Sequence, residues 1–360
     1  MIEGVVPTEI REGPASIRST LADARPSAAQ VASVLREGGV RRVFVLGNGT
    51  SYHSSLAAAT LYRRHARPGD PVVFPVTAAD FRTYRPALDE CDAVVGVSSS
   101  GEFRDVVAVV EDLRGTVPTI GIVHVPDSSL AGLADHVVCS SGGPSQVPVM
   151  TKTFSATLVA TELVLVELLG TETADRVAAE IAAAANHAVS VIQAADLVVD
   201  DLAQELAGAG HVFVVGSGLA HIAAMEAALK LKEMALVHAE GTETWEMASG
   251  ASTIVDERSV VIALAPVGFG REAVADVVRH SADWGARVIE VGPDALAPSS
   301  TLIPLPAAAV EDHAPLTTVP PIALLAFALA HRRGIDPDRP SWIERYHSQG
   351  LTHILGAGRP

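Results

Sequence analysis

Short uninterrupted apolar runs alternate along this chain with longer stretches whose apolar residues recur every three or four positions. Val43–Leu46, Val94–Val97 and Val212–Val215 are runs of the first kind, each followed by a turn rich in glycine or serine. Runs of that length suit parallel strands buried on both faces. The pattern predicts strands near 42–47, 72–77, 92–97 and 117–123, with a weaker one at 136–139. Helices are predicted near 51–65, 78–84 and 102–114. This β/α alternation implies an α/β fold, a parallel sheet covered by helices. Upstream, Pro26–Gly38 reads as the first helix. Residues 1–25 read as irregular, with a turn at Glu9–Pro14. The Gly/Pro/Ser-rich stretch 142–152 reads as a loop. The helical runs at 153–169 and 173–208 fit linker, dimer-facing or plain core helices equally well.

At His211 the pattern restarts. Val212-Phe213-Val214-Val215-Gly216-Ser217-Gly218 repeats Val43-Phe44-Val45-Leu46-Gly47-Asn48-Gly49 at an offset of 169 residues. Ala227-Ala228 aligns with Ala58-Ala59, and a strand at 260–264 matches the one at 94–97. A shift of nearly half the chain indicates two copies of one α/β unit. The expected domains are 1–190, with the N-terminal segment and a helical linker, and 191–360, with the C-terminal tail.

Candidate chemistry gathers at the first copy's turns. Gly47-Asn48-Gly49 follows the strand, and Thr50-Ser51 open a helix. Backbone N–H groups and hydroxyls at the positive end of a helix dipole form an anion site. Ser98-Ser99-Ser100-Gly101 follows the next strand, and open α/β sheets bring such turns together on one ligand. The second copy has Ala265-Pro266-Val267-Gly268 there, without hydroxyls and with one N–H removed by Pro266. Its own unusual segment is Met225–Gly250. Glu226, Lys230 and Glu233 fall on one helix face, which by spacing alone fits a solvated, salt-bridged stripe.

Charge narrows the partners. With 26 basic and 42 acidic residues, the net charge is −16, which argues against nucleic acid or an anionic membrane. The two cysteines, Cys91 and Cys139, form neither a disulfide framework nor a metal-ligand pattern, and both read as small buried hydrophobes. No secretory signal and no uninterrupted apolar run of membrane-spanning length is visible, so a cytoplasmic protein is expected. No metal or cofactor is indicated.

With these turns and that helix, the chain resembles the SIS-domain family of phosphosugar-handling proteins. The likeness is to the tandem arrangement in the isomerase domain of glucosamine-6-phosphate synthase and in related isomerases, deaminases and deglycases. It rests on Gly47–Tyr52, Ser98–Glu102, Ala228–Glu233 and His238-Ala239-Glu240, with looser matches at Thr151–Phe154 and Gly334–Pro340. The resemblance implies two tandem SIS domains, each a flavodoxin-like three-layer sandwich, and a homodimer. It implies that Gly49, Thr50, Ser51, Ser98, Ser99, Ser100 and Gly101 hold the phosphate of a small phosphorylated sugar. Glu233 would be the base that moves a proton between C1 and C2 of the open-chain sugar, with Lys230 stabilising the enediolate oxygen or orienting Glu233.

Departures from the family pattern shape the expectation. The ring-opening histidine is replaced by Ser249, and a tail lysine by Arg345, which cannot form a Schiff base. Phe103 and Met150 stand where a threonine and a serine are usual. His347 is the preferred substitute for the lost histidine, ahead of His353 and His238. With no glutaminase segment or nucleophilic cysteine ahead of the first unit, ammonia from glutamine is not expected to be supplied in cis. The expected activity is aldose–ketose isomerisation or deamination of a sugar phosphate by enediol proton transfer. The alternative is a non-catalytic sugar-phosphate-binding regulator. A nicotinamide-binding Rossmann unit fails: the first turn lacks a third glycine, and no acidic residue ends the strand at 72–77.

Overall fold

The structure, a computed structural model, describes residues 2–340. It divides into two compact units: an N-terminal lobe, Ala15–Ala182, and a C-terminal lobe, Ala183–Pro340 together with residues 2–14. Two helices run from one unit into the other, α1 (Val5–Glu37) and α7 (Thr171–Ala195).

The N-terminal lobe continues with β1 (Arg42–Gly47), α2 (Thr50–His65), β2 (Val72–Thr77), α3 (Ala78–Thr83), β3 (Asp92–Val97), α4 (Arg104–Leu113), β4 (Thr119–Val123), α5 (Ser129–Leu133), β5 (His136–Cys139) and α6 (Lys152–Glu167). Its strands pair in parallel in the order β2-β1-β3-β4-β5. β3 and β4 are buried at every position, as a sheet covered on both faces requires. Phe44, Leu46 and Val94 pack with Phe81 of α3 and with Val106, Val109 and Val110 of α4. The rings of Phe44 and Phe81 meet edge to face at 5.4 Å.

After α7, the C-terminal lobe contains α8 (Val199–Leu206), β6 (His211–Gly216), α9 (Leu219–Ala235), β7 (Ala239–Glu243), α10 (Thr244–Ser249), β8 (Ser259–Leu264), α11 (Arg271–Asp283), β9 (Arg287–Gly292), β10 (Thr301–Pro304) and α12 (Ala314–Arg332). Its strands are again all parallel, in the order β10-β9-β8-β6-β7. Read from the central pair outward, this is the N-terminal order repeated. The register repeats too: Gly47 pairs with Thr77, and Gly216, 169 positions later, pairs with Glu243. Gly49 opens α2 at φ 51°, ψ −127°, and Gly218 opens α9 at φ 57°, ψ −126°. A positive φ of this kind is open to glycine at no steric cost. The chain is thus two tandem α/β units, each a parallel sheet flanked by helices.

α12 is long and apolar enough to cross a membrane, but 94% of its apolar window is buried within the fold. It is a core helix of its lobe.

The segment expected to be irregular is not. Residues 5–37 form one unbroken helix through Gly13-Pro14 and Pro26. Its N-terminus is held by Asp338, whose carboxylate accepts the N–H groups of Val5 and Val6 at 2.8 Å each. Arg11 pairs with Asp196 at 2.6 Å, and further along Arg25 pairs with Glu167 at 2.9 Å. Tertiary packing of a buried stripe, including Ile10, Ile17, Ala24, Ala28, Val31 and Leu35, outweighs the carbonyl partners lost to proline. The run expected at 173–208 is two helices, α7 and α8, bent by 65° at a short break.

Candidate functional site

The N-terminal lobe presents its polar turns at the carboxyl ends of two adjacent strands, β1 and β3. At the first, Ser51 N–H bonds to Asn48 O at 3.1 Å, closing the turn that starts α2. Thr50 and Ser51 are buried there. Ser54 and Ser55 return their hydroxyls to the carbonyls of Thr50 and Ser51, at 3.0 and 2.9 Å, so they serve the helix.

At the second turn, the three serines differ. Ser98 is buried, and its Oγ and carbonyl both accept the Gly101 N–H, at 3.1 and 2.9 Å. Ser99 is half-buried, and its carbonyl accepts the His124 N–H at 2.8 Å. Ser100 is exposed, its Oγ accepting the Glu102 N–H at 3.3 Å. Ser98 therefore shapes the turn, while Ser100 faces outward from it. Glu102 fastens the turn to α5, accepting the N–H and hydroxyl of Ser129 at 3.0 and 2.7 Å. The structure thus places all seven expected phosphate-site residues, Gly49 to Ser51 and Ser98 to Gly101, on two neighbouring turns of one sheet edge.

Asn48 adds a candidate that the sequence reading used only as a turn residue. Its Nδ2 is buried without a hydrogen-bond partner among the described residues. A buried donor left unpaired costs about 1–3 kcal/mol, and this one lies within the turn expected to hold the phosphate.

In the C-terminal lobe, α9 carries Glu226, Lys230 and Glu233. Lys230 Nζ lies 3.1 Å from Glu226 Oε1 and 2.6 Å from Glu233 Oε2. Glu226 and Lys230 are fully buried and Glu233 is partly open, so this is no solvated stripe. Burial alone would lower the Lys230 pKa, but the two carboxylates overcome it and hold the ammonium above its ordinary value. Lys230 is thus a fixed cation that grips Glu233 by one oxygen.

Ser249 ends α10, exposed, with its hydroxyl returned to Trp245 O at 2.8 Å. Trp245, in the first turn of α10, is 71% exposed. Cys91 and Cys139 are free thiols, half-buried rather than enclosed. Arg345, His347 and His353 lie outside the described residues. Among the described residues, no group of three or more His, Cys, Asp or Glu side chains is placed to hold a metal ion.

Residues 39–167 and 205–291 match the SIS domain. The chain belongs to the SIS-domain family. Each matched segment covers most of one of the two sheets described above. The glutamine–fructose-6-phosphate aminotransferase (isomerizing) of Gloeobacter violaceus is 32% identical to this SIS protein over 349 residues. That match covers 92% of this chain and 56% of the relative, so the chain spans about half the length of the aminotransferase it matches. Among solved structures, the C-terminal domain of glucosamine-fructose-6-phosphate aminotransferase from Francisella tularensis aligns at a TM-score of 0.83 with 21% identity. It covers 94% of this chain and 99% of that one. The tagatose-6-phosphate ketose/aldose isomerase of Escherichia coli aligns at 0.76 with 18% identity, covering 94% and 95%. At these identities the structural likeness is one of fold.

Proposed function

We propose that this SIS protein interconverts the aldose and ketose forms of a phosphorylated sugar by enediol proton transfer. In this reading the turns at Gly49–Ser51 and Ser98–Gly101 hold the phosphate, with Asn48 as an added donor. Glu233 takes the proton from one carbon and returns it to the next. Lys230 keeps that carboxylate in place and balances the negative charge that develops on the sugar oxygen. On a 2-amino sugar phosphate the same proton transfer gives an imine at C2, which water hydrolyses to the ketose with release of ammonia, so amino-sugar phosphates belong among the substrates to be tried. The observation that carries the reading is the Lys230–Glu233 pair at 2.6 Å, one partner wholly buried and the other partly open. Of the three charged groups, Glu233 is the one open enough for a substrate to reach. A homodimer and a cytoplasmic location accompany this proposal as expectations.

The test is hydrogen exchange at C2 in deuterated water, followed by proton NMR across hexose and hexosamine phosphates. At least one substrate should exchange with wild type. Glu233→Gln should slow that exchange by about 10²–10⁴-fold, the usual contribution of a positioned general base. Full exchange in Glu233→Gln would remove Glu233 from the mechanism. Sugar-phosphate binding with no exchange in wild type would instead make the protein a sensor.

A further inference from the structure

The C-terminal lobe repeats the backbone of the N-terminal lobe's anion turn and then fills it from within. Gly218 opens α9 with the dihedrals with which Gly49 opens α2. The turn after β8, Ala265–Gly270, follows its strand as Ser98–Gly101 follows β3. Seated against both C-terminal turns is the carboxylate of Glu311. Its Oε2 accepts the Gly270 N–H at 3.2 Å. A Cβ on Gly218 would collide with Glu311 Oε1, and a Cβ on Gly268 would collide with Oε2. Two glycines from two turns thus leave the space that one carboxylate occupies.

The backbone delivers that carboxylate deliberately. Glu311 N–H donates to Val267 O at 2.8 Å, and Val267 N–H donates to Ala309 O at 3.3 Å. Val267 and Val310 form an isolated parallel bridge beside the main sheet. Glu311 stands two residues before His313, which precedes α12. In the other lobe, Val149 stands two residues before Thr151, which precedes α6. Val149 is buried and apolar, so nothing equivalent is offered to the serine turns from that position. The hydroxyls present at Ser98–Ser100 are absent at Ala265–Val267, where an anion already attached to the chain needs fewer donors.

We propose that Glu311 is a tethered counter-ion that occupies the C-terminal lobe's anion cradle and excludes free oxyanions such as phosphate from it. A tethered carboxylate acts at an effective concentration of millimolar or higher, above what a weakly held free phosphate can match. The positive end of the α9 dipole favours either anion, and covalent attachment decides between them. Resting on the function proposed above, this role of Glu311 confines the sugar phosphate to the serine turns.

The full chain is compared with its Glu311→Ala variant, using inorganic phosphate as the probe in calorimetry and phosphorus NMR. The variant should bind one phosphate per chain more than wild type, with millimolar affinity. Its lowered Tm should be restored by phosphate and not by chloride at equal ionic strength. Binding at the serine turns is common to both proteins and cancels in the comparison, so failure of the functional reading would not mimic failure here. A folded Glu311→Ala variant with no additional phosphate overturns the proposal. Should that variant not fold in plain buffer, its refolding yield is measured in phosphate and in chloride. Recovery in phosphate alone supports the proposal, and equal yields overturn it.

Discussion

Lys230 and Glu233, three residues apart on α9, meet at 2.6 Å, and Glu226 closes on the same ammonium from the preceding turn at 3.1 Å. The lysine is fully buried with two acids, one as buried as itself. Removing the cation alone strands Glu226 in the interior. Lys230→Met should therefore cost about 3–5 kcal/mol, the range for breaking a buried pair from one side. Glu226→Gln together with Lys230→Met should recover a large part of that loss, because both charges then leave together. Urea unfolding of the two variants checks this; equal stabilities would show that Glu226 does not depend on Lys230. The raised Lys230 pKa sets the pH sense. The triad's contribution holds below the ordinary lysine value of 10.5 and is lost only as pH climbs through the higher folded value.

Leu236 follows that helix in the left-handed region, at φ 52°, the single described non-glycine residue with positive φ. It is 52% exposed, and its N–H closes the helix by donating to Leu231 O. An L-residue in this conformation costs about 1–2 kcal/mol, and a glycine there costs none of it. Leu236→Gly should raise stability by about 1 kcal/mol, since little apolar contact is surrendered. A lower Tm for Leu236→Gly would mean that the exposed side chain is holding the helix end.

The strands were legible because both faces of each sheet are covered, so runs such as Val43–Leu46 and Val94–Val97 stand out from their surroundings. The repeat was legible for the same reason, and the turn glycines fixed its register. The first half of α1 was hidden. Its buried stripe runs through Gly13, Pro14, Ser16 and Thr20, small or polar residues that carry no periodic apolar signal. The ion pairs of α9 were visible as spacing, but i,i+3 and i,i+4 pairs look alike whether solvated or enclosed. α9 packs against α12, β6 and β7, and the burial of Glu226 and Lys230 is a tertiary property that local pattern does not encode. Glu311 was invisible to pattern. It lies in an aperiodic stretch between Pro306 and Pro315, and its meaning depends on two glycine turns far away in the chain.

The serines of the second turn separate by what each oxygen already does. Ser98→Ala removes one of two acceptors for the buried Gly101 N–H and should cost about 1 kcal/mol of stability. Ser100 is exposed, and Ser100→Ala should leave stability within about 0.5 kcal/mol of wild type. If Ser100 holds a phosphate, the variant should raise the substrate KM at least about tenfold, as loss of one charge-assisted hydrogen bond worth roughly 1.5–3 kcal/mol implies. An unchanged KM in Ser100→Ala would take that hydroxyl out of the binding site.

Glu162 gives the N-terminal lobe a pH response of its own. It lies on α6, a helix buried along its whole length, and Glu162 Oε2 has no hydrogen-bond partner among the described residues. Burial pushes its pKa up from the ordinary 4.5 to about 8. The folded chain therefore holds this proton where the unfolded chain releases it. The stability that follows is complete below pH 4.5 and declines as pH rises through the folded value near 8. Ionisation of the buried acid then costs on the order of 3–5 kcal/mol, at 1.36 kcal/mol per unit of pKa. Glu162→Gln keeps the shape without the titrating proton. It should match wild type near pH 5 and exceed it above pH 8, flattening that part of the stability profile. Parallel urea titrations of the two proteins between pH 5 and 9 read this directly. Identical slopes would mean that Glu162 is already ionised and satisfied in the folded protein.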